Sequence, residues 1–495
     1  MLRLDKQGPL YGQVYRALRA EILTGALAPG ARAPATRSLA NELGLSRNVV
    51  MLAYEQLLAE GYLTARTGSG TFVAPELPQK FTTAEVSAAV APRTKQLPPQ
   101  LSAYMRRIAE EATTSGFTWE PRRTPLPYDF RYGRPSFVDF PHEMWCRVVA
   151  RRARRASVRD LDYGPAEGLA ALRQTIAAYL GRARAVRCTP EQVIVLNGSQ
   201  QAFDLAARVL IDPGDAVLLE EPQYRAARAV MKAAGAKIRT VPVDEDGLCT
   251  SVLAAQQGRC QLIIVTPSHQ FPTGAVMPLA RRLELLAWAK RTSAFVFEDD
   301  YDSEYRYSGR PLEALQALDD QGRVLYAGTF SKVMFPALRL GYLVVPEPLI
   351  EPFRTVKALL DTGSPTLPQL ALVDFIRAGF FERHLHRLRM RNAARRAALL
   401  EAVERHLGDR ARVSGVNAGL HVLLWLLEVP QRDTTALRLR AERLGVGVYS
   451  VAPFYSVPPP HAGLLLGYAS LPEKDITEGI RRLASVVKAI TPAGV

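Results

Sequence analysis

The stretch Val324-Leu325-Tyr326-Ala327-Gly328-Thr329-Phe330-Ser331-Lys332 decides how the larger part of this chain is read, together with Pro336-Ala337-Leu338-Arg339-Leu340-Gly341-Tyr342 just beyond it. Val324–Tyr326 is a short apolar run of the kind a buried strand shows. Thr329 and Lys332 follow it, and Arg339 lies seven residues past Lys332. A lysine amine in a partly buried site sheds its proton readily and can then form a Schiff base with an aldehyde. An arginine brings a rigid fork of donors that fits a phosphate. Taken alone, Ser331-Lys332 says little, because most lysines are solvated surface charges.

Working outward, further short apolar runs at Val193–Leu196, Ala216–Leu219, Leu262–Val265, Phe295–Phe297 and Gly341–Val345 alternate with longer helical patterns. That alternation predicts an α/β fold, a mostly parallel sheet wrapped by helices. A long Arg-rich helix over about Phe380–Leu407 and strands near Val422–Leu427 and Leu464–Tyr468 predict a smaller α+β domain at the C-terminus. Several strand ends carry polar residues, and open α/β sheets bind their ligands there. Phe295–Phe297 runs into Glu298-Asp299-Asp300-Tyr301, where a carboxylate could keep a pyridine nitrogen protonated and a phenol could reach a ring hydroxyl. Val193–Leu196 runs into Asn197-Gly198-Ser199-Gln200, a turn at a helix start that offers free N–H groups to a phosphate. Glu220-Glu221-Pro222-Gln223-Tyr224 offers an aromatic ring for stacking. Each piece also has a plainer reading: Asp299 as a helix cap, Gly198-Ser199 as an ordinary turn.

The first 74 residues have a different texture. Leu10–Thr24 sets Val14, Leu18, Ile22 and Leu23 on one helical stripe. Pro34-Ala35-Thr36-Arg37-Ser38-Leu39-Ala40 opens a second helix that Gly44 ends, and Ser46 is expected to cap a third, Arg47–Glu60, before Gly61. Two helices joined by a short glycine turn form a helix-turn-helix. Arg47 and Asn48 fall in the first turn of its second helix, where side chains reach base edges in the major groove. Tyr62–Val73 alternates around Gly68-Ser69-Gly70, a β-wing with Arg66 placed for phosphates.

Residues 75–125 hold Pro75, Pro78, Pro92, Pro98, Pro99, Pro121 and Pro125 and read as a semi-rigid linker with one possible helix near Leu101–Ala112. The expected domains are therefore 1–74, the linker 75–125, a large domain 126–385 and a small domain 386–495. Over the 495 residues, 63 basic side chains face 48 acidic ones, a net charge of +15 that suits a polyanionic partner. No apolar run approaches the roughly 18–20 residues of a membrane span. Met1–Lys6 does not resemble the start of a signal peptide, and Cys146, Cys188, Cys249 and Cys260 lack C-x-x-C spacing. The expectation is a cytoplasmic bacterial protein, nucleoid-associated when bound to DNA, with no metal site.

The order P-x-x-R-x-L-A, S-R-x-x-V, A-Y-x-x-L-x-x-E-G and wing resembles the winged helix-turn-helix of the GntR regulators over residues 8–74. That resemblance implies that Arg37 and Arg47 touch operator DNA and that the domain works as a dimer. Residues 126–490 resemble the fold-type I aminotransferases that use pyridoxal 5′-phosphate, with Tyr163-Gly164-Pro165-Ala166-Glu167-Gly168 and Leu172-Arg173 fitting their Y-G-x-x-x-G-x-x-x-L-R segment. By resemblance Lys332 is the Schiff-base lysine, Asp299 pairs the pyridine nitrogen and Tyr301 contacts the 3′-oxygen. Ser199, Gln200 and Arg339 hold the phosphate, Thr329 also binds the cofactor, Tyr224 stacks, and Tyr163 serves the neighbouring subunit's cofactor. The two halves together resemble the MocR/GabR-type regulators, which implies a homodimer responding to the cofactor or to a small amine-type effector.

Two departures stand out. Thr266-Pro267-Ser268-His269-Gln270-Phe271-Pro272-Thr273-Gly274 lacks the asparagine that ordinary aminotransferases aim at the 3′-oxygen, leaving His269 and Gln270 as alternatives. No arginine lies between Arg443 and Arg481, where the family holds the substrate α-carboxylate; Gly463–Ala469 offers leucines instead. Transamination of α-amino acids is therefore expected to be weak or absent. The rival reading is an active aminotransferase with an accessory DNA-binding domain.

Overall fold

A computed structural model describes residues 2, 4–66, 69–77, 100–115, 126–256, 258–307 and 312–490, in two compact units, Met1–Gln100 and Leu101–Val495. Gly68 and most of the expected linker lie outside the described residues.

In the first unit, helices Leu10–Thr24, Thr36–Leu43 and Arg47–Ala59 precede an antiparallel ribbon of β1 (Leu63–Arg66) and β2 (Gly70–Val73), paired Leu63 to Val73. Val14, Leu18, Ile22, Leu39, Val50 and Leu57 form its core, the stripes that the helical spacing put on one side. Gly44 ends the second helix at φ +65°, a left-handed turn that costs glycine nothing. Ser46 differs from expectation. It stands at the start of the third helix in extended backbone, but its hydroxyl makes no capping bond; the Val49 N–H donates to its carbonyl instead.

The second unit is built on eight strands: β4 (Val193–Leu196), β5 (Ala216–Glu221), β6 (Lys237–Asp244), β7 (Gly247–Leu248), β8 (Cys260–Val265), β9 (Phe295–Asp300), β10 (Val324–Thr329) and β11 (Gly341–Val344). Their order is β4-β11-β10-β9-β8-β5-β6-β7. From β10 through β6 neighbours are parallel, while β11 runs antiparallel between β10 and β4. Helices Ser199–Leu210 and Ile350–Asp361 cover one face over Ile194, Val217, Phe297 and Leu325. Helix Leu279–Thr292 covers the other over Leu218, Ile263 and Val296. Burial on both faces explains the near-continuous apolar runs. Strand β6 was not expected: lying second from the edge, it buries Val241 and exposes much of the rest, and Pro242 interrupts its pattern.

A second sheet, in the order β12 (Ala411–Ser414), β13 (His421–Pro430), β16 (His461–Gly467) and β15 (Tyr449–Ser450), packs on helix Glu473–Ile490 through Val422, Leu424, Leu464, Leu466, Ile480 and Leu483. Two expected boundaries shift. Within 75–125, helix Ala103–Ser115 is docked rather than linking: Arg107 donates to the Ala233 carbonyl at 2.9 and 2.7 Å, and Arg228 pairs with Glu111 at 2.9 Å. Proline content had outweighed the helical pattern there. At the other end of the linker, β3 (Tyr128–Asp129) pairs with β14 (Val446–Gly447) and Phe130 joins the small core, so this segment packs with the C-terminal sheet.

The expected break at 385/386 also falls inside one continuous helix, Phe380–Leu407. Its first half buries Phe381, Leu385 and Leu388 in the large core, and its second half buries Leu399, Val403 and Leu407 in the small one. Leu388→Ala and Leu399→Ala should each cost about 2–5 kcal/mol and, because one helix serves both cores, lower the same transition in denaturant. Two transitions responding separately would refute that coupling.

Candidate functional site

The carboxyl ends of β4, β5, β8, β9 and β10 meet at one edge, and the candidate residues sit on them. Beyond β10, the Lys332 Nζ donates to the Gly133 carbonyl at 2.9 Å. A Cβ on Gly133, whose φ is +68°, would lie 3.2 Å from that nitrogen. The Lys332 backbone is fixed by the Tyr305 hydroxyl at 2.9 Å. Burial pulls the lysine pKa down, and the charges of Asp302 and Asp299 act against that. Thr329 is buried, its hydroxyl accepting the Ser331 N–H at 3.1 Å.

At the end of β9, Asp299 is buried and its Oδ1 has no hydrogen-bond partner. Burial, and next the neighbouring Asp300, push its carboxyl up to about 7. Asp300 is occupied differently, by Arg184 at 2.9 Å and the Tyr326 hydroxyl. The Tyr301 hydroxyl lies 2.9 Å from His269 Nδ1, which is 3.1 Å from both oxygens of Asp302. Of the two alternatives in the Thr266–Gly274 loop, His269 therefore meets Tyr301. Gln270 is spent on the loop itself: its Nε2 donates to Glu220 and to the Pro222 and Phe271 carbonyls, and its Oε1 accepts from Thr273.

At the end of β4, Gly198 has φ +102°, and a Cβ there would lie 2.7 Å from a guanidinium nitrogen of Arg339. Arg339, itself left-handed at φ +51°, donates to the Asn197 carbonyl. Ser199 opens the helix that follows; Gln200 is exposed one residue on. The helix start and the guanidinium together form a positive corner. Tyr224, past β5, stands edge-on to Phe271 at 5.7 Å. Tyr163 is not packed into this cluster of its own chain: it is 87% exposed, near the exposed Val158 and Leu161.

In the first unit, Arg37, Arg47, Asn48 and Arg66 are all exposed, with Arg66 lying over the Phe72 ring at 4.9 Å. Sequence reasoning missed the His269–Asp302 pair, Gly133 and Glu220, whose carboxyl burial raises to about 7. Only Gly133, in a Tyr-Gly-Arg-Pro turn, carried a local signal. His269, Asp302 and His421 also offer donors within 4.8 Å of one another, although His269 already spends Nδ1 on Asp302 and Tyr301.

Residues 10–73 match the bacterial regulatory proteins of the gntR family, and residues 139–483 match the class I and II aminotransferases. The chain is 40% identical to the probable rhizopine catabolism regulatory protein MocR of Rhizobium meliloti, over 100% of this chain and 97% of that one. This chain belongs to the MocR-type transcriptional regulators. It is 35% identical, over 97% of each chain, to YdeL, an uncharacterised HTH-type transcriptional regulator of Bacillus subtilis. Kynurenine aminotransferase of Pyrococcus horikoshii, solved with PMP and kynurenine, superposes with a TM-score of 0.69 at 27% identity, covering 80% of this MocR-type chain and 96% of the enzyme. Both halves of the fold class expected from sequence are thus present: a GntR-type winged helix and a fold-type I aminotransferase unit.

The raised Asp299 pKa gives a signed test. A folded-state pKa above the unfolded value contributes stability at low pH that is lost as pH climbs through it. In cofactor-free protein, Asp299→Asn should therefore gain stability relative to the parent as pH rises from about 4 to 7. Unfolding midpoints compared across that range check it, and a constant difference would refute it.

Proposed function

We propose that this MocR-type regulator holds pyridoxal 5′-phosphate at Lys332 and couples its state, or that of an amine-type effector, to operator binding. The observation that carries the reading is the buried Asp299 oxygen without a partner, on the same sheet edge as Lys332. A protonated pyridine nitrogen supplies the donor and positive charge that this carboxylate lacks. The other residues fit the rest of the group. Lys332 would hold the aldehyde carbon, and Tyr301, backed by His269 and Asp302, would face the 3′-oxygen. Ser199, Gln200 and Arg339 would hold the phosphate, with Thr329 also in the cofactor site and Gly198 leaving room for the Arg339 guanidinium. Tyr224 would stack, and the exposed Tyr163 would reach the neighbouring subunit of a homodimer. When bound, the cofactor supplies an aldehyde that captures primary amines and an electron sink behind it.

The winged helix supplies the DNA reader. Arg47 and Asn48 would meet base edges, and Arg37, Arg66 and Gly68 the DNA backbone. We assign residues 1–74 to the reader, and the helix Ala103–Ser115 and all that follows it to the sensor, with the chain between as the link. Among the described residues no helix is long and apolar enough to cross a membrane. A cytoplasmic location follows from the DNA target. The aminotransferase fold favours a second reading, physiological turnover. Against it stands the stretch Gly463–Ala469, which offers leucines where the family places the arginine that holds an amino acid's carboxylate.

Purified protein should bind pyridoxal phosphate with a visible absorbance band that Lys332→Ala abolishes. A band that survives the substitution would refute the assignment. Binding to its own upstream DNA should weaken steeply with salt, since phosphate neutralisation releases counterions. Arg47→Ala should cost about 1–3 kcal/mol and relax specificity at one operator position in a competition assay. An unchanged specificity profile would remove Arg47 from base recognition.

A further inference from the structure

The corner formed by Arg339 and the helix start at Ser199 is shaped by residues beyond those assigned to the phosphate. Asn197, just past β4, spends three polar groups on this turn. Its backbone N–H donates to the Gln201 side-chain oxygen at 2.9 Å, its Nδ2 donates to Asp361 at 2.8 Å, and its carbonyl accepts from Arg339. Gln201 closes the ring, its Nε2 donating to the same Asp361 oxygen at 2.7 Å. The guanidinium and the helix start are therefore both referred to Asn197. Asn197 in turn is tied to Asp361, 164 positions further along the chain.

Asp361 is the last residue of helix Ile350–Asp361, and it is fully used. Its Oδ2 takes the two side-chain amides. Its Oδ1 takes the Lys357 Nζ at 2.6 Å and the Gly363 N–H at 3.1 Å. A carboxylate has about four acceptor positions, and four donors occupy them. Burial pushes this carboxyl up, but Lys357 and Gln201 outweigh it and hold the group below the usual carboxylate range. Lys357 is fully buried and pairs with it. An acid at the C-terminal end of a helix opposes the helix dipole, so helix stability gives no reason for one there. An acid serving only the fold would be answered by Lys357 and Gly363. It would have no use for two amides from the β4 turn. An amide in its place would turn one oxygen into a donor and set it against donors.

The corner has little slack. A Cβ on Gly198 would lie 2.7 Å from a guanidinium nitrogen of Arg339, and a Cβ on Gly341 of β11 would lie 3.3 Å from the Gly198 Cα. Groups packed this closely bind a ligand only while their spacing is kept to about half an ångström.

We propose that Asp361 is a positioning residue for this corner: acting through Asn197 and Gln201, it fixes the Arg339 guanidinium and the helix start at Ser199 in the geometry that takes a phosphate. The proposal rests on the reading that the corner holds the cofactor's phosphate, and it adds the residues that shape it.

Gln201→Met tests it on the full-length chain, because it cuts the link and leaves the Lys357–Asp361 pair intact. Pyridoxal 5′-phosphate and pyridoxal, which share the aldehyde and differ in the phosphate, are titrated by absorbance. The variant should bind the phosphorylated compound at least tenfold more weakly and pyridoxal within about twofold of the parent. Asp361→Asn combined with Lys357→Met removes the buried charge together with its partner and should act in the same direction. If that double variant does not fold, Gln201→Met decides alone. Equal losses for both compounds would show a general disturbance of the fold and would overturn the positioning role. An unchanged affinity for pyridoxal phosphate would overturn it too. Parent protein that binds the two compounds equally tightly would sink the phosphate reading itself, before any variant is compared, and the proposal with it.

Discussion

The structure turns on a buried carboxyl that its own chain does not satisfy. Asp299 ends a central strand, out of water, with one oxygen unpartnered and two more acids, Asp300 and Asp302, within three residues. A chain selected for stability alone would place an apolar side chain there, or pair the acid as it pairs Asp300 with Arg184. Unsatisfied buried charge is kept where a ligand completes it. The surroundings follow from the same constraint. Lys332 is fixed by Gly133 and Tyr305, and Tyr301 by His269, so the groups around Asp299 stand in place before anything binds.

The second constraint is mechanical. Helix Phe380–Leu407 gives its first half to the large core and its second to the small one, so the two sheets share an element that cannot bend at low cost. Across the cleft they are joined again, by Ser456 on Glu221 and by the Gln223 N–H on the Phe454 carbonyl. Both clasps lie on the β5 loop that also carries Tyr224. The segment that carries Tyr224 thus ties one sheet to the other.

Much of this was legible in the sequence, for reasons that differ along the chain. The buried strands stand out because burial on both faces demands unbroken apolar runs, and Val193–Leu196 shows four in succession, all fully buried. The strand-end residues stand out because polar groups just past such runs have few structural uses. What stayed hidden was long-range. His269 and Asp302 are 33 positions apart, Lys332 and Gly133 are 199 apart, and no local pattern joins them. β6 was hidden because an almost exposed strand has a weak period, and the docking of Ala103–Ser115 because its partners, Ala233 and Arg228, lie far along the chain.

The absence of an arginine in one stretch is legible as text, but its consequence is not. Sequence alone leaves open whether a guanidinium from elsewhere fills the gap. The strand register shows what shares that face: Leu423 pairs with Leu465, Tyr449 with the same Leu465, and Arg412 of β12 with Trp425, and a one-residue slip would turn the small core outward. Because Leu424 and Leu464 fill that core, Leu423, Trp425 and Leu465 face the other way, packed with Phe271 and Phe454. Core packing in the small domain thereby sets which side chains stand beside Phe271. A regulator needs only that its ligand bind two arrangements unequally. Turnover asks for more, a group that holds the reacting molecule in one orientation, and Gly463–Ala469 supplies no arginine to do so.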